Sequence, residues 1–361
     1  MPPIWHSNGA VSLRNVGLMS EVCRVPFLWG RAAARHHTNR RDQGMLSTTT
    51  GVFSEPEDFG TAMREDGCTN LVVLDSGSFS ARLNRIALHR MRLLSAEESL
   101  ARIAFFSVPS DSILISVPYD HDVPPIWAGT ATRADEIVAL NAGHRSYSRT
   151  VARCRWGAIL LPTALLLGYA RAITDVALVV PPGMSRWRPS AKACRHLIRL
   201  HMRATRVAKT RAGVITALEP ANALEQDLIE AIVACLSEGP AQPANIANRR
   251  HTDVMARFED LLRTHPNRAF TSAEISAALD NSGRTLRKCC SEHLGMSPIP
   301  YMRLRRMQLA RRALRGADPA TASVAQIAAQ HGFDEAGRFA GAYRARFGEL
   351  PSVTLRRSAG Q

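Results

Sequence analysis

The sequence predicts an α+β chain of two domains, an N-terminal β-barrel with trailing helices and a C-terminal all-α domain in which one helix joins two helix-turn-helix units. Three observations predict it. Short β-prone runs divided by turn signals fill residues from about 70 to 177. Apolar spacing changes to a helical period after about residue 190. One pattern of helix, corner and second amphipathic helix then occurs twice near the C-terminus. A chain of 361 residues is long enough for each domain to bury its own core.

Residues 1 to about 50, with "HSNG", "RHHTNRRDQG" and "STTTG", show little periodicity and are expected to be disordered. They hold no secretory signal core, and Met45 is an alternative start. Within the barrel, expected over about 65–180, the strand candidates are "NLVVLD", "SFSARLNRIAL", "RIAFFSV", "SILISVP", "EIVALN" and "TVARCRWGAILLP". The turn signals "DSGS", "VPSDS" and "NAGHRS" separate them, and no helix of convincing length interrupts the series. A barrel mouth can hold a small ligand, so residues 51–237 read as a sensing domain. Leu197, Leu200, Ala204 and Val207, then Leu224, Leu228, Ile232 and Leu236, mark two helices over about 190–237. Their stripes face the barrel or a second subunit. Residues 238–252, opening "EGPAQPANIANRR", read as a linker, and 253–361 as the C-terminal domain.

In "QIAAQHGFDEAGRFAGAYRARFGELP", residues 326–351, Ile327 and Ala328 belong to one helical phase and Phe339, Tyr343 and Phe347 to another. Gly332 suits the left-handed residue that ends a helix, and Asp334 or Glu335 can cap the next. Upstream, "TSAEISAALDNSGRTLRKCCSEHLGMSP" repeats the plan: Thr271 and Glu274 form a capping box, Ser282 caps a helix, and Leu286, Cys290 and Leu294 face inward. Each second helix is followed by Gly (Gly295, Gly348) and Pro (Pro298, Pro351). Between the copies, "YMRLRRMQLARRALRG" reads as one stiff helix. A second helix set in this way can lie in a DNA major groove.

Charge agrees with that use. The formal net charge is +15 and the sequence pI about 10.5, which favours anionic partners. Only Lys192, Lys209 and Lys288 among the 46 basic residues are lysine, so position must decide which arginines matter. The seven cysteines, Cys23, Cys68, Cys154, Cys194, Cys235, Cys289 and Cys290, form no C-x-x-C pair and read as reduced cytosolic thiols rather than a disulfide framework or zinc site. The apolar run Trp156–Ala170 contains Pro162 and falls short of the roughly 20 residues that a membrane span needs.

Residues 253 to 355 resemble the DNA-binding domain of the AraC/XylS family of bacterial transcription regulators, through "SGRTLRK", "LGMSPIPYMRLRRMQLARRAL", "VAQIAAQHGFDEAGRFAGAYRARFG" and "LPSVTLR" in that order. The resemblance implies a cytoplasmic, dimeric regulator that binds double-stranded DNA, with a cupin-like barrel sensing a small-molecule effector and RNA polymerase as partner if it activates. With Leu286 and Cys290 turned inward, Arg284, Arg287 and Lys288 lie on or near the outer face of the first recognition helix, where Thr285 is also expected to contact DNA, while the resemblance sets Gly337 and Gly341 at base-contacting positions of the second, with Arg338 and Arg344 nearby. The arginines Arg303, Arg305, Arg306, Arg344 and Arg346 lie in or beside the motifs as phosphate anchors. Departures from the family pattern fall at Ser276, Asn281 and Cys290, so the first motif is expected to pack less tightly. Cys289 and Cys290 also raise a redox reading. No cofactor, metal or enzymatic activity is expected. The alternative, a cupin-type metal enzyme fused to a DNA-binding tail, needs clustered histidines, whereas His89, His121 and His144 stand singly.

Overall fold

The computed structural model describes residues 46–119, 125–133, 135–174, 178–238 and 241–357. Cys23, Met45, His121 and most of the stretch expected to be disordered lie outside them. The N-terminal half runs β1 (Ser47–Phe53), α1 (Pro56–Ala62), β2 (Cys68–Val73), β3 (Ala81–Ala87), β4 (Arg92–Glu98), β5 (Arg102–Ser107), β6 (Ser112–Pro118), β7 (Ile126–Trp127), β8 (Thr130–Ala131), β9 (Ile137–Leu140), β10 (Arg145–Arg149) and β11 (Cys154–Pro162). There follow α2 (Thr163–Ile173), β12 (Met184–Trp187), α3 (Ala191–Thr210), α4 (Ala212–Ile215), α5 (Leu218–Ser237) and β13 (Gln242–Pro243). The C-terminal half holds α6 (Ile246–Thr264), α7 (Ser272–Ala278), α8 (Gly283–Leu294), α9 (Pro298–Gly316), α10 (Val324–Gln330), α11 (Ala336–Phe347) and α12 (Pro351–Arg357).

The strands do not close into the expected cupin-like barrel. They form an eight-stranded sheet in the order β1-β3-β4-β11-β6-β9-β12-β13 and a five-stranded sheet in the order β2-β5-β10-β7-β8. Closure is unnecessary because helices cover both outer faces. Along β5 the period-two alternation turns Ala104 and Phe106 toward the larger sheet, into a core with Leu83, Leu94 and Leu114 of that sheet and Trp127 of β7. Its other residues, Ile103 and Phe105, join Val72 and Tyr147 on the opposite face, against Val254, Phe258 and Tyr301 of the C-terminal half. The outer face of the larger sheet, with Ile113, Ile115, Ile159 and Leu161, packs under Leu166, Leu197, Leu228 and Ile232 of α2, α3 and α5.

Three further expectations change. β1 begins at Ser47, inside the stretch expected to be disordered, because its main chain pairs with β3 along its whole length despite a polar sequence. α2 interrupts the strand series; Pro162 ends β11, and the leucine-rich segment behind it buries Leu166 and Ala170 as a helix. A short apolar run alone does not separate helix from strand. Finally, 246–252 is helix rather than linker, since Asn245 caps α6 by accepting the Asn248 N–H at 2.7 Å.

The two helix-turn-helix units are anchored differently. The first shares its apolar core with the smaller sheet, and buried inside that core is a polar knot. There the Glu259 carboxylate accepts the Tyr147 hydroxyl at 2.6 Å and Arg305 Nη1 at 2.6 and 2.7 Å, while Asn70 donates to the Tyr301 hydroxyl at 2.9 Å. The second unit has a separate core of Met307, Ala310, Leu314, Ile327, Phe339, Tyr343 and Leu355. Polar contacts tie its surroundings to the N-terminal half: Arg346 donates to the carbonyls of Val73 and Leu74, Arg311 pairs with Glu55 at 2.6 Å, and Arg315 pairs with Asp58 at 3.1 Å.

Candidate nucleic-acid interface

Local chemistry sets the first recognition helix. Thr271 and Glu274 complete the expected capping box of α7, and hydrogen bonds from Thr271, with Arg268 nearby, hold the Glu274 carboxyl down at about 2. The corner passes through Asp280, at φ 49, a left-handed conformation that Asp tolerates better than most residues. Ser282 then accepts the Thr285 N–H at 3.1 Å, starting α8. Leu286, Cys289, Cys290, His293 and Leu294 of α8 are buried. Arg284, Arg287 and Lys288 are exposed on the opposite face. Thr285 is half-buried, and its hydroxyl is engaged with that of Ser282 at 2.9 Å, so it shapes the helix start.

In the second unit Ser323 and Gln326 form the capping box of α10, and Gly332, at φ 71, turns the corner. Glu335 occupies the N-cap position of α11 without capping it; its carboxylate pairs instead with Arg338 at 2.7 Å. Phe333, Phe339, Tyr343 and Phe347 stack in sequence, with ring centroids 5.0, 5.6 and 4.6 Å apart. Gly337, Arg338, Gly341 and Arg344 are exposed. Open space surrounds both glycines. The two recognition faces therefore differ: guanidinium and ammonium groups on α8, bare backbone over much of α11.

Among the arginines assigned to phosphate, the structure divides the set. Arg303 and Arg344 are exposed. Arg306 donates to the carbonyls of His331 and Gly332 at 3.2 and 2.6 Å and lies 5.1 Å from the Phe333 ring, clamping the corner of the second unit. Its Nη1 is therefore committed within the protein rather than free for phosphate. Arg305 is held by Glu259, and Arg346 by main-chain carbonyls, so both are likewise engaged within the protein. Nothing in the sequence distinguishes Arg306 from Arg303, because both follow Tyr301 on one helix and only the fold brings a turn to one of them.

Neither Cys289 nor Cys290 has the character of a redox switch, which requires an exposed, readily ionised thiol. Both are fully buried, and burial pushes the Cys289 thiol up to about 11 and raises Cys290 too. Among the described residues no three His, Cys, Asp or Glu side chains converge as a metal site, and no helix is long and apolar enough to cross a membrane.

A family described as a helix-turn-helix domain matches residues 275–357. A probable thc operon regulatory protein of Rhodococcus erythropolis is 39% identical over 97 residues, covering 27% of this chain and 29% of that protein. The XylDLEGF operon transcriptional activator 1 of Pseudomonas putida is 42% identical over 76 residues, covering 21% of this chain and 23% of that one. The chain thus spans under a third of the length of these relatives. A solved probable AraC family transcriptional regulator from Rhodopseudomonas palustris is 32% identical, covering 29% of this chain and 97% of that one with a TM-score of 0.27. ToxT from Vibrio cholerae covers 88% of this chain at 10% identity, with a TM-score of 0.27 from which nothing further follows.

Proposed function

We propose that the chain is a transcription regulator of the AraC/XylS family, which binds specific DNA sites through α8 and α11 under control of a small-molecule effector; the helix-turn-helix match over residues 275–357 and the likeness to operon regulators support this reading. The observation that carries this reading is the exposed cationic face of α8, repeated in position but not in chemistry by α11. Arg284 and Arg287 are the base readers, since a guanidinium can bond guanine O6 and N7 together. Arg303 and Arg344 anchor phosphates, and α11 contributes shape complementarity and phosphate contacts rather than base readout. The α9 helix of 19 residues spans about 28 Å, compatible with two readers in successive major-groove faces about 34 Å apart.

The protein acts as a cytoplasmic homodimer, meeting RNA polymerase where it activates. Supporting the dimer, exposed Lys192, Arg195, Arg199 and Arg203 line α3, while exposed Glu219, Asp227 and Glu230 line α5. A two-fold axis can lay each face on its opposite in the partner.

Genome-wide mapping of bound sites, followed by titration of one site against competitor DNA, tests the reading. Specific binding is expected to exceed nonspecific binding by about 10³ or more; equal affinities would identify an architectural protein instead. At the mapped site Arg287→Ala should cost about 1–3 kcal/mol and relax preference at one operator position. Gly341→Ala should leave site preference unchanged and stabilise α11 by about 0.5–1 kcal/mol, because a mid-helix glycine is entropically costly. Loss of all binding in Gly341→Ala would show that DNA backbone occupies that space.

A further inference from the structure

Between the two sheets lies a cavity walled by Phe106, Tyr119, Trp127 and Trp156 together with a few charged side chains. Each of those charges is already answered. Arg102 bonds Glu98 at 3.2 and 3.3 Å and Ser148 at 3.2 and 3.3 Å. Arg188 and Arg186 hold Glu136 at 2.8 and 3.5 Å, Arg133 pairs with Asp135 at 3.1 Å, and Arg155 is engaged as well. The Trp156 N–H donates to Glu98 at 2.6 Å. Trp127 differs. Its indole N–H is buried and donates to nothing, although the residue is only 7% exposed. An unmet buried donor is destabilising, and an acceptor brought by a ligand would satisfy it.

We propose that this cavity takes an uncharged aromatic molecule carrying one hydrogen-bond acceptor, such as a ketone or amide carbonyl, which receives the Trp127 N–H. The aromatic walls supply its contact surface, and the buried cation of the lining, Arg102, is already neutralised by Glu98, which leaves an anion less to gain. The inference deepens the effector part of the regulator reading by naming the ligand class.

Occupancy must move a wall. The cavity has about 50 Å³ of room, against about 150 Å³ for a pocket that accepts benzene. The β7–β8 hairpin is the wall built to yield, for each of its strands is two residues long and its turn holds Ala128 at φ 47, a strained conformation for a residue with a Cβ. The same turn touches the C-terminal half. Asn248 of α6 donates to the Ala128 carbonyl at 2.8 Å and to Thr130 Oγ1 at 3.2 Å, and a Cβ added at Gly129 would stand 2.9 Å from the His293 ring of α8. A ligand that shifts Trp127 therefore shifts the support of the first recognition helix.

Calorimetric titration of the full chain with acetophenone, benzoate and ethylbenzene tests this. Acetophenone should bind saturably, with Kd at least about tenfold below both others, since benzoate brings an unpaired charge and ethylbenzene leaves the indole donor unmet. Trp127→Phe should reduce acetophenone to the level of ethylbenzene, with the melting curve as the check on folding. Benzoate binding as tightly as acetophenone, no binding by any of the three, or an unchanged preference in a folded Trp127→Phe would overturn the proposal. The ranking in the unaltered protein stands without the variant. Binding to a mapped DNA site, measured without these probes, fails separately if the regulator reading is wrong.

Discussion

Glu259→Ala should lower the free energy of unfolding by about 3–5 kcal/mol, the cost of removing one partner from a buried ion pair. Glu259 is 2% exposed and accepts from Arg305 and Tyr147. Removing it strands a largely buried guanidinium between the smaller sheet and α6. Burial and the nearby carboxylate already push the Tyr147 phenol well above its ordinary range, so Tyr147 stays a neutral donor and cannot neutralise Arg305 itself. Replacing the pair together, Glu259→Leu with Arg305→Met, should recover much of the loss because no uncompensated charge remains. Urea unfolding followed by circular dichroism measures both. A loss below about 1 kcal/mol in the single variant would mean that the knot is hydrated.

Affinity for DNA should fall about fortyfold between 50 and 200 mM salt, with a log–log slope near −2.7 for about three neutralised phosphates per protomer. The sequence alone, counting Arg305, Arg306 and Arg346 among the anchors, points to about six phosphates and a slope near −5. Their engagement within the protein lowers the expectation. Arg303→Ala should flatten the slope by about one, whereas Arg306→Ala should leave it unchanged and loosen the corner at Gly332. Equal effects of these two substitutions on the slope would show that Arg306 leaves its carbonyls to bind DNA.

The C-terminal half was legible because its signals are local. Capping boxes, the left-handed glycines behind each recognition helix and the i, i+4 apolar rows each act over a single turn, and Thr271–Glu274, Ser323–Gln326, Gly295 and Gly348 all fall where they were expected. The N-terminal half was legible strand by strand but not as a whole. Alternation in β5 shows two faces without showing that one of them meets another domain, and Tyr147 reads as an ordinary strand residue until α6 brings Glu259 to it. The hairpin of β7 and β8 is too short to register as strand, and β10 begins only at the end of "NAGHRS", whose turn falls at Ala142 and Gly143 as expected. Among the site residues, exposure of Arg284, Arg287 and Lys288 followed from helical phase alone. The diversion of Arg306 did not, because its partners are 25 and 26 residues away.

The unequal anchoring of the two motifs has a thermodynamic consequence. A core made only of residues from Met307 onward can come apart without opening the sheets, so amide protons in α10, α11 and α12 should exchange through a partial opening. Those of α6 and α8, whose packing includes Val72, Ile103, Phe105 and Tyr147, should exchange only when the whole chain unfolds. Salt screens exposed ion pairs more than buried apolar contacts, so raising ionic strength should widen this difference by weakening the Arg315–Asp58 tie before it disturbs the docked face. The first motif consequently shares the fate of the smaller sheet, and the second is the half that can reshape itself once its Arg311, Arg315 and Arg346 ties to the N-terminal half are released.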